Sequence, residues 1–196
     1  MVIAMQMLPK FKSEFARALR NFQYERTDLG VVFPKQKLVI GGVFSASVDG
    51  GPMIVGNNTL ALQCLDSMLS VYFDNQAAPV AFYVAPFTNN IAPTSALTAA
   101  TFTATQGEYT GYTQAARTAW TPNGASSGQT VSNSASPALF TVGASAATVA
   151  GAGLLTASAK GATTGVLVAA ALFATPNALN PGSSLSIQYS LAATAV

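Results

Sequence analysis

Leu8, Phe11, Phe15, Leu19 and Phe22 recur at steps of three, four, four and three. On a helix these positions form one stripe, with Lys10, Arg17 and Arg20 on the opposite side, and Pro9 suits a first helical turn. The spacing predicts an amphipathic helix over 9–24. Such a helix either docks on its own domain or lies as a tether on a neighbouring subunit. Farther on, Lys37–Ile40 and Val43–Val48 read as short strands, with Gly41-Gly42 and "DGGP" as turns. Asn57, Asn58 and Thr59 are capping residues for a second helix over 58–73. Its apolar positions Leu60, Cys64, Leu65, Met68, Leu69, Val71 and Tyr72 predict a broad buried face opposite Gln63, Asp66, Ser67 and Ser70.

Helical periodicity ends after Asp74. The runs at 80–87, 111–120, 138–142, 153–158, 164–174 and 184–192 are apolar or alternating, and Pro, Asn, Gly and Ser clusters separate them. In the last run Leu185, Ile187, Tyr189 and Leu191 alternate with Ser184, Ser186, Gln188 and Ser190, as a half-buried strand requires. The predicted fold is mainly β: an antiparallel, jelly-roll-like β-sandwich with an N-terminal amphipathic helix and one further packed helix. Residues 1–30 form a helical arm and 31–196 the body, with 121–136 as a long loop.

Composition changes the picture in one respect. Of the 196 residues half are apolar, so a sizeable core can form, but only 8% are charged, against about 25% in an average globular domain. A surface this neutral suits a protein packed against copies of itself or against a larger assembly. Charge is also unevenly placed. Residues 1–37 carry seven basic and three acidic side chains; the remainder carries Arg117 and Lys160 against Asp49, Asp66, Asp74 and Glu108. The arm is basic and the body is slightly acidic.

Candidate chemistry is sparse. Histidine is absent and Cys64 is alone, which removes the commonest general base, an intrachain disulfide and a thiolate zinc site. Asp49, Asp66, Asp74 and Glu108 show no spacing that suggests a catalytic pair, no G-x-S-x-G elbow occurs, and the glycines of 42–52 lack a phosphate-binding lysine. No enzyme activity, metal or cofactor is expected. The arm's aromatics lie on its apolar stripe away from its cations, which argues against nucleic acid. Its acidic residues argue against a membrane surface, and the longest apolar run, 165–174, is half a membrane span.

The stretch "GEYTGYTQAARTAW" (107–120) gathers Glu108, Tyr109, Tyr112, Arg117 and Trp120. It reads as a central strand with aromatic anchors, or as a ligand platform made by Tyr109, Tyr112 and Trp120. Along an extended chain Glu108 and Arg117 are too far apart to pair, so Arg117 is expected to meet a carbonyl or a neighbouring subunit's carboxylate. With Asn89, Asn90, Pro93, Thr94 and the "EYTGY" run ahead of Trp120, residues 57–196 resemble a family of small virion proteins of tailed bacteriophages. The segment 151–187 resembles that family's closing hairpins. The resemblance implies a virion structural protein, made in the host cytoplasm, with no catalytic residues. On this reading it is a capsid decoration or cement protein. Lys10, Phe11, Phe15, Arg17, Leu19, Arg20 and Phe22 would grip the major capsid protein or another virion protein, and the body would assemble as a homotrimer. The alternatives are a tail or fibre-attachment protein and a host-glycan binding module.

Overall fold

The computed structural model describes residues 38–195 except 125 and 127, together with Arg17 and the strands 24–26 and 32–34. The chain divides into two compact units, residues 1–39 with 194–196, and residues 40–193. In the first, β1 (Tyr24–Arg26) pairs antiparallel with β2 (Val32–Pro34), Tyr24 opposite Pro34. Of the helix expected over 9–24, Arg17 is helical and exposed. Tyr24 instead belongs to β1, opposite Pro34 of β2. The other positions of that helix, Lys10, Phe11, Phe15, Leu19, Arg20 and Phe22 among them, lie outside the described residues.

Two antiparallel sheets make the second unit. The elements, in chain order, are β3 (Leu38–Val48), β4 (Ile54–Asn57), β5 (Thr59–Leu60), α1 (Leu62–Phe73), β6 (Phe82–Phe87), α2 (Ala99–Phe102), β7 (Thr118–Trp120), β8 (Thr130–Ser132), β9 (Ala138–Thr141), β10 (Ala147–Leu155), β11 (Leu167–Leu179) and β12 (Ser184–Ala195). One sheet has the order β5-β11-β10-β6-β7; the other has β4-β3-β12-β8, with β9 also paired to β12. Phe44, Phe140, Leu185, Ile187 and Tyr189 from the second sheet meet Val84, Trp120, Val149, Leu154, Val168 and Phe173 from the first. The architecture is therefore the expected antiparallel β-sandwich, and alternate residues of β12 fill its core as its sequence pattern predicts. Each large side chain so buried contributes about 1.5–3 kcal/mol.

The first sheet is covered on its other face too. Ala85 and Phe87 of β6, Ala150 and Leu155 of β10, and Leu167 and Ala170 of β11 pack with Leu97, Ala99 and Phe102. The α2 segment was not expected from the pattern. It is one turn long, held by a reciprocal Thr98–Thr101 capping box, and runs on as a π-helical turn over Thr103–Gly107. Its Phe102 ring stands edge-on to Phe87 at 6.0 Å. Gly153 makes room for it: a Cβ there would lie 2.7 Å from the Phe102 ring. Burial on both faces explains why β10 and β11 read as near-continuous apolar runs of small residues.

Three local expectations are corrected. Gly41-Gly42 is not a turn, because β3 runs unbroken through it. A Cβ at Gly42 would lie 2.5 Å from Ser190 O and 2.8 Å from the Tyr189 hydroxyl, so the glycine serves close packing of β3 on β12. The helix expected at 58–73 starts at Leu62, since Thr59 and Leu60 pair with Ala170 and Ala169 of β11. Asn58 does not cap it. Its amide accepts from Gly42 N at 2.7 Å and donates to the Tyr189 hydroxyl at 2.9 Å. Finally, the 121–136 loop contains β8, whose Ser132 opposes Ser190 of β12.

Candidate functional site

The 107–120 stretch is mostly not a strand. Only Thr118–Trp120 form β7, beside β6. Glu108 bridges Phe87 at the first sheet, and Tyr112 bridges Val142, just past β9 of the second. Thr113 N donates to Thr141 O, Gly143 N donates to Gly111 O, and the Gln114 amide binds Leu139 O and Thr141 N. The segment thus leaves one sheet, crosses to the other and returns, closing one side of the sandwich.

That folding brings Glu108 and Arg117 together, contrary to the extended-chain expectation. Arg117 Nε donates to Glu108 Oε1 at 2.8 Å and Arg117 Nη2 to Oε2 at 2.6 Å, a bidentate pair with both side chains fully buried. The remaining capacity is filled by the 156–166 connection between β10 and β11. Arg117 donates to Ala157 O and Ala162 O, Gly161 N donates to Glu108 Oε2, and Thr103 Oγ1 donates to the same oxygen. Arg117 therefore meets carbonyls, as expected, and a carboxylate of its own chain. Lys160 adds a second clasp: its ammonium donates to Tyr112 O at 2.6 Å and Thr110 O at 3.1 Å and sits 3.8 Å from the centre of the Tyr112 ring. Burial lowers the Lys160 pKa, against the opposing pull of Glu108.

Tyr109, Tyr112 and Trp120 are only 8%, 4% and 8% exposed. Tyr112 stands edge-on to Phe140 at 4.9 Å, and Trp120 meets Tyr189 at 6.1 Å while its indole donates to Tyr189 O. None offers a free ring face, so the ligand-platform reading of these three residues is withdrawn. Burial raises the pKa of Tyr109, Tyr112 and Tyr189 alike; at Tyr112 the Glu108 charge adds to the rise and Arg117 opposes it.

The surface that does present chemistry is α1. The sequence pattern expected its apolar side to be buried. Instead Cys64 is its single buried residue, Gln63, Ser67 and Ser70 are half-buried, and Leu62, Met68, Leu69, Tyr72 and Phe73 are exposed. Gln63 explains the rotation: its carbonyl oxygen accepts from Ala99 N and Leu167 N, and its amide donates to Gly165 O. Those three bonds hold Gln63 against the body, while Asp66 of the same predicted polar side is exposed. Leu69, Tyr72 and Phe73 are left 57%, 77% and 85% exposed.

Along the other side of α1, where Cys64, Met68 and Tyr72 face the body, lies a cavity of about 320 Å³ that Phe82, Val168 and Leu191 also line. Burial raises the pKa of the Cys64 thiol, so it lines the wall as an apolar group. Across residues 40–193 the exposed charged side chains are Asp49, Asp66 and Asp74, two of them on or just past α1. Arg117 is buried and Lys160 half-buried. No protein-family model matches the chain, and no curated protein is significantly similar to it.

Proposed function

We propose that the protein is a non-enzymatic structural component of a tailed-bacteriophage virion, a capsid decoration or cement protein. Its amino-terminal segment tethers a β-sandwich body to neighbouring subunits of the shell. The observation that carries this reading is the outward-turned apolar face of α1 on a body whose exposed charges are few and all acidic. A freely dispersed protein keeps such a face covered and its surface charged. Further support comes from the resemblance of residues 57–196 to virion proteins. The Glu108–Arg117 cluster fits the same reading: the buried carboxylate accepts one hydrogen bond at Oε1 and three at Oε2, all from its own chain, and is committed to holding the fold.

The test is co-sedimentation of the purified protein with virion shells lacking it. The full chain is expected to load in great excess over tail components, and a variant without residues 1–30 is expected to stay in the supernatant. A chain that never joins particles, or that turns over a substrate, refutes the proposal. Loading in tail-like numbers transfers the protein to the tail or fibre attachment.

A further inference from the structure

The cavity between α1 and the body is built from three parts of the fold. Cys64, Ser67 and Met68 line it from α1, Phe82 and Val168 from the first sheet, and Leu191 from the second. It continues the inter-sheet core outward. Cys64 and Val168 belong to that core, and Phe82 and Leu191 pack against it half-buried. Tyr72 and Ala78 also line the cavity and are exposed, so it opens to solvent. Its volume of about 320 Å³ falls at the small end of the roughly 300–1,000 Å³ of small-molecule pockets. It is about twice the ~150 Å³ apolar cavity that takes up benzene.

The chemistry of the wall narrows the ligand. Every lining residue is uncharged, and the side-chain polar groups are the hydroxyls of Ser67, Tyr72 and Thr156. Thr156 Oγ1 already accepts from Val166 N at 2.9 Å, which leaves that hydroxyl its proton to donate. The two cations of the body are held elsewhere: Arg117 by Glu108, and Lys160 by the Thr110 and Tyr112 carbonyls. The exposed charges of residues 40–193 are all carboxylates, and Asp66 stands on α1 itself. An anionic head would find no cation here and would meet charge of its own sign. We infer that the cavity binds an uncharged alkyl compound of about ten carbons, at roughly 30 Å³ per carbon, with a single hydroxyl or carbonyl head. The inference does not depend on the virion reading.

Displacement of N-phenyl-1-naphthylamine, an uncharged dye that brightens in apolar surroundings, tests it in the full chain. 1-Decanol is expected to displace the dye and to raise the melting temperature. Sodium decanoate, with a similar chain and a carboxylate head, is expected to compete at least about ten-fold more weakly. Ser67→Phe puts a ring into the cavity and is expected to weaken both dye and decanol by about ten-fold or more. Leu69→Ser, on the exposed side of α1, is expected to leave binding unchanged. In the wild-type chain decanol is also expected to slow maleimide labelling of Cys64, a reading that needs no variant. The inference is overturned if the dye does not bind, if decanoate competes as well as decanol, or if a folded Ser67→Phe binds like wild type. Loss of binding in Leu69→Ser also overturns it, because the dye then sits on the outer face of α1. Should Ser67→Phe fail to fold, Cys64 decides: a labelling rate unchanged by decanol overturns the inference.

Discussion

Replacing Glu108 with Gln is the sharpest probe of how this fold is held. The substitution keeps the side chain's shape and removes its charge. The carboxylate accepts from Arg117 Nε, Arg117 Nη2, Thr103 Oγ1 and Gly161 N, all between 2.6 and 3.2 Å. A Gln amide retains one acceptor oxygen and turns an NH₂ toward donors that have nowhere else to bond. The guanidinium, fully buried, is left as an uncompensated charge. Breaking one side of a buried, hydrogen-bonded pair costs about 3–5 kcal/mol, a large part of the roughly 5–15 kcal/mol that stabilises a domain. Equilibrium urea unfolding followed by Trp120 fluorescence reads the loss directly. With a slope of about 2 kcal/mol/M, the midpoint falls by about 2 M. The double variant Glu108→Leu/Arg117→Met removes both charges and is expected to be more stable than Glu108→Gln alone. A midpoint shift worth less than about 1 kcal/mol, or a double variant less stable than the single, refutes the claim that this pair clasps the 108–117 segment to the 157–162 loop.

Other consequences follow from the same geometry. Gly42→Ala places a Cβ 2.5 Å from Ser190 O, so the melting curve should show a loss of about 1–3 kcal/mol from overpacking. The pKa values of Tyr112 and Tyr189 are raised by burial, so the folded state holds protons that the unfolded chain releases. Their contribution is complete below the ordinary tyrosine pKa and lost as pH climbs above it. The unfolding free energy is expected to fall above about pH 10 by up to about 1.4 kcal/mol per pH unit per tyrosine, as denaturant titrations at successive pH values can check. The buried Tyr112 hydroxyl has no hydrogen-bond partner, so Tyr112→Phe should be neutral or mildly stabilising and should flatten that alkaline decline.

Much of the fold was legible because its signals are local. Alternation of Leu185, Ile187 and Tyr189 with Ser186 and Gln188 is a property of one strand, and it specified the inward face of β12 without reference to any partner. The misreadings share a cause. Gly41-Gly42 has the composition of a turn, yet the glycine is there for what approaches it, Tyr189 and Ser190 from far along the chain. Glu108 and Arg117 are distant on an extended segment and bonded in a folded one, because the crossing between sheets bends the chain between them.

The sequence alone determined the β-sandwich class and the basic character of the amino-terminal segment, while burial of β10 and β11 on both faces was decided by the second core cluster around Phe102. Periodicity and composition are carried by neighbouring residues, so they survive without the tertiary structure. The orientation of α1 was decided only in three dimensions. Its apolar positions are broad enough to face either way, and three hydrogen bonds of Gln63, which accepts from Ala99 N and Leu167 N and donates to Gly165 O, hold that residue against the body and leave Leu62, Leu69 and Phe73 outward. Backbone groups of Ala99 and Leu167 that need a partner outweigh the hydrophobic preference of a helix at the surface, and neither the partners nor that exposed face is visible in the periodicity of 58–73.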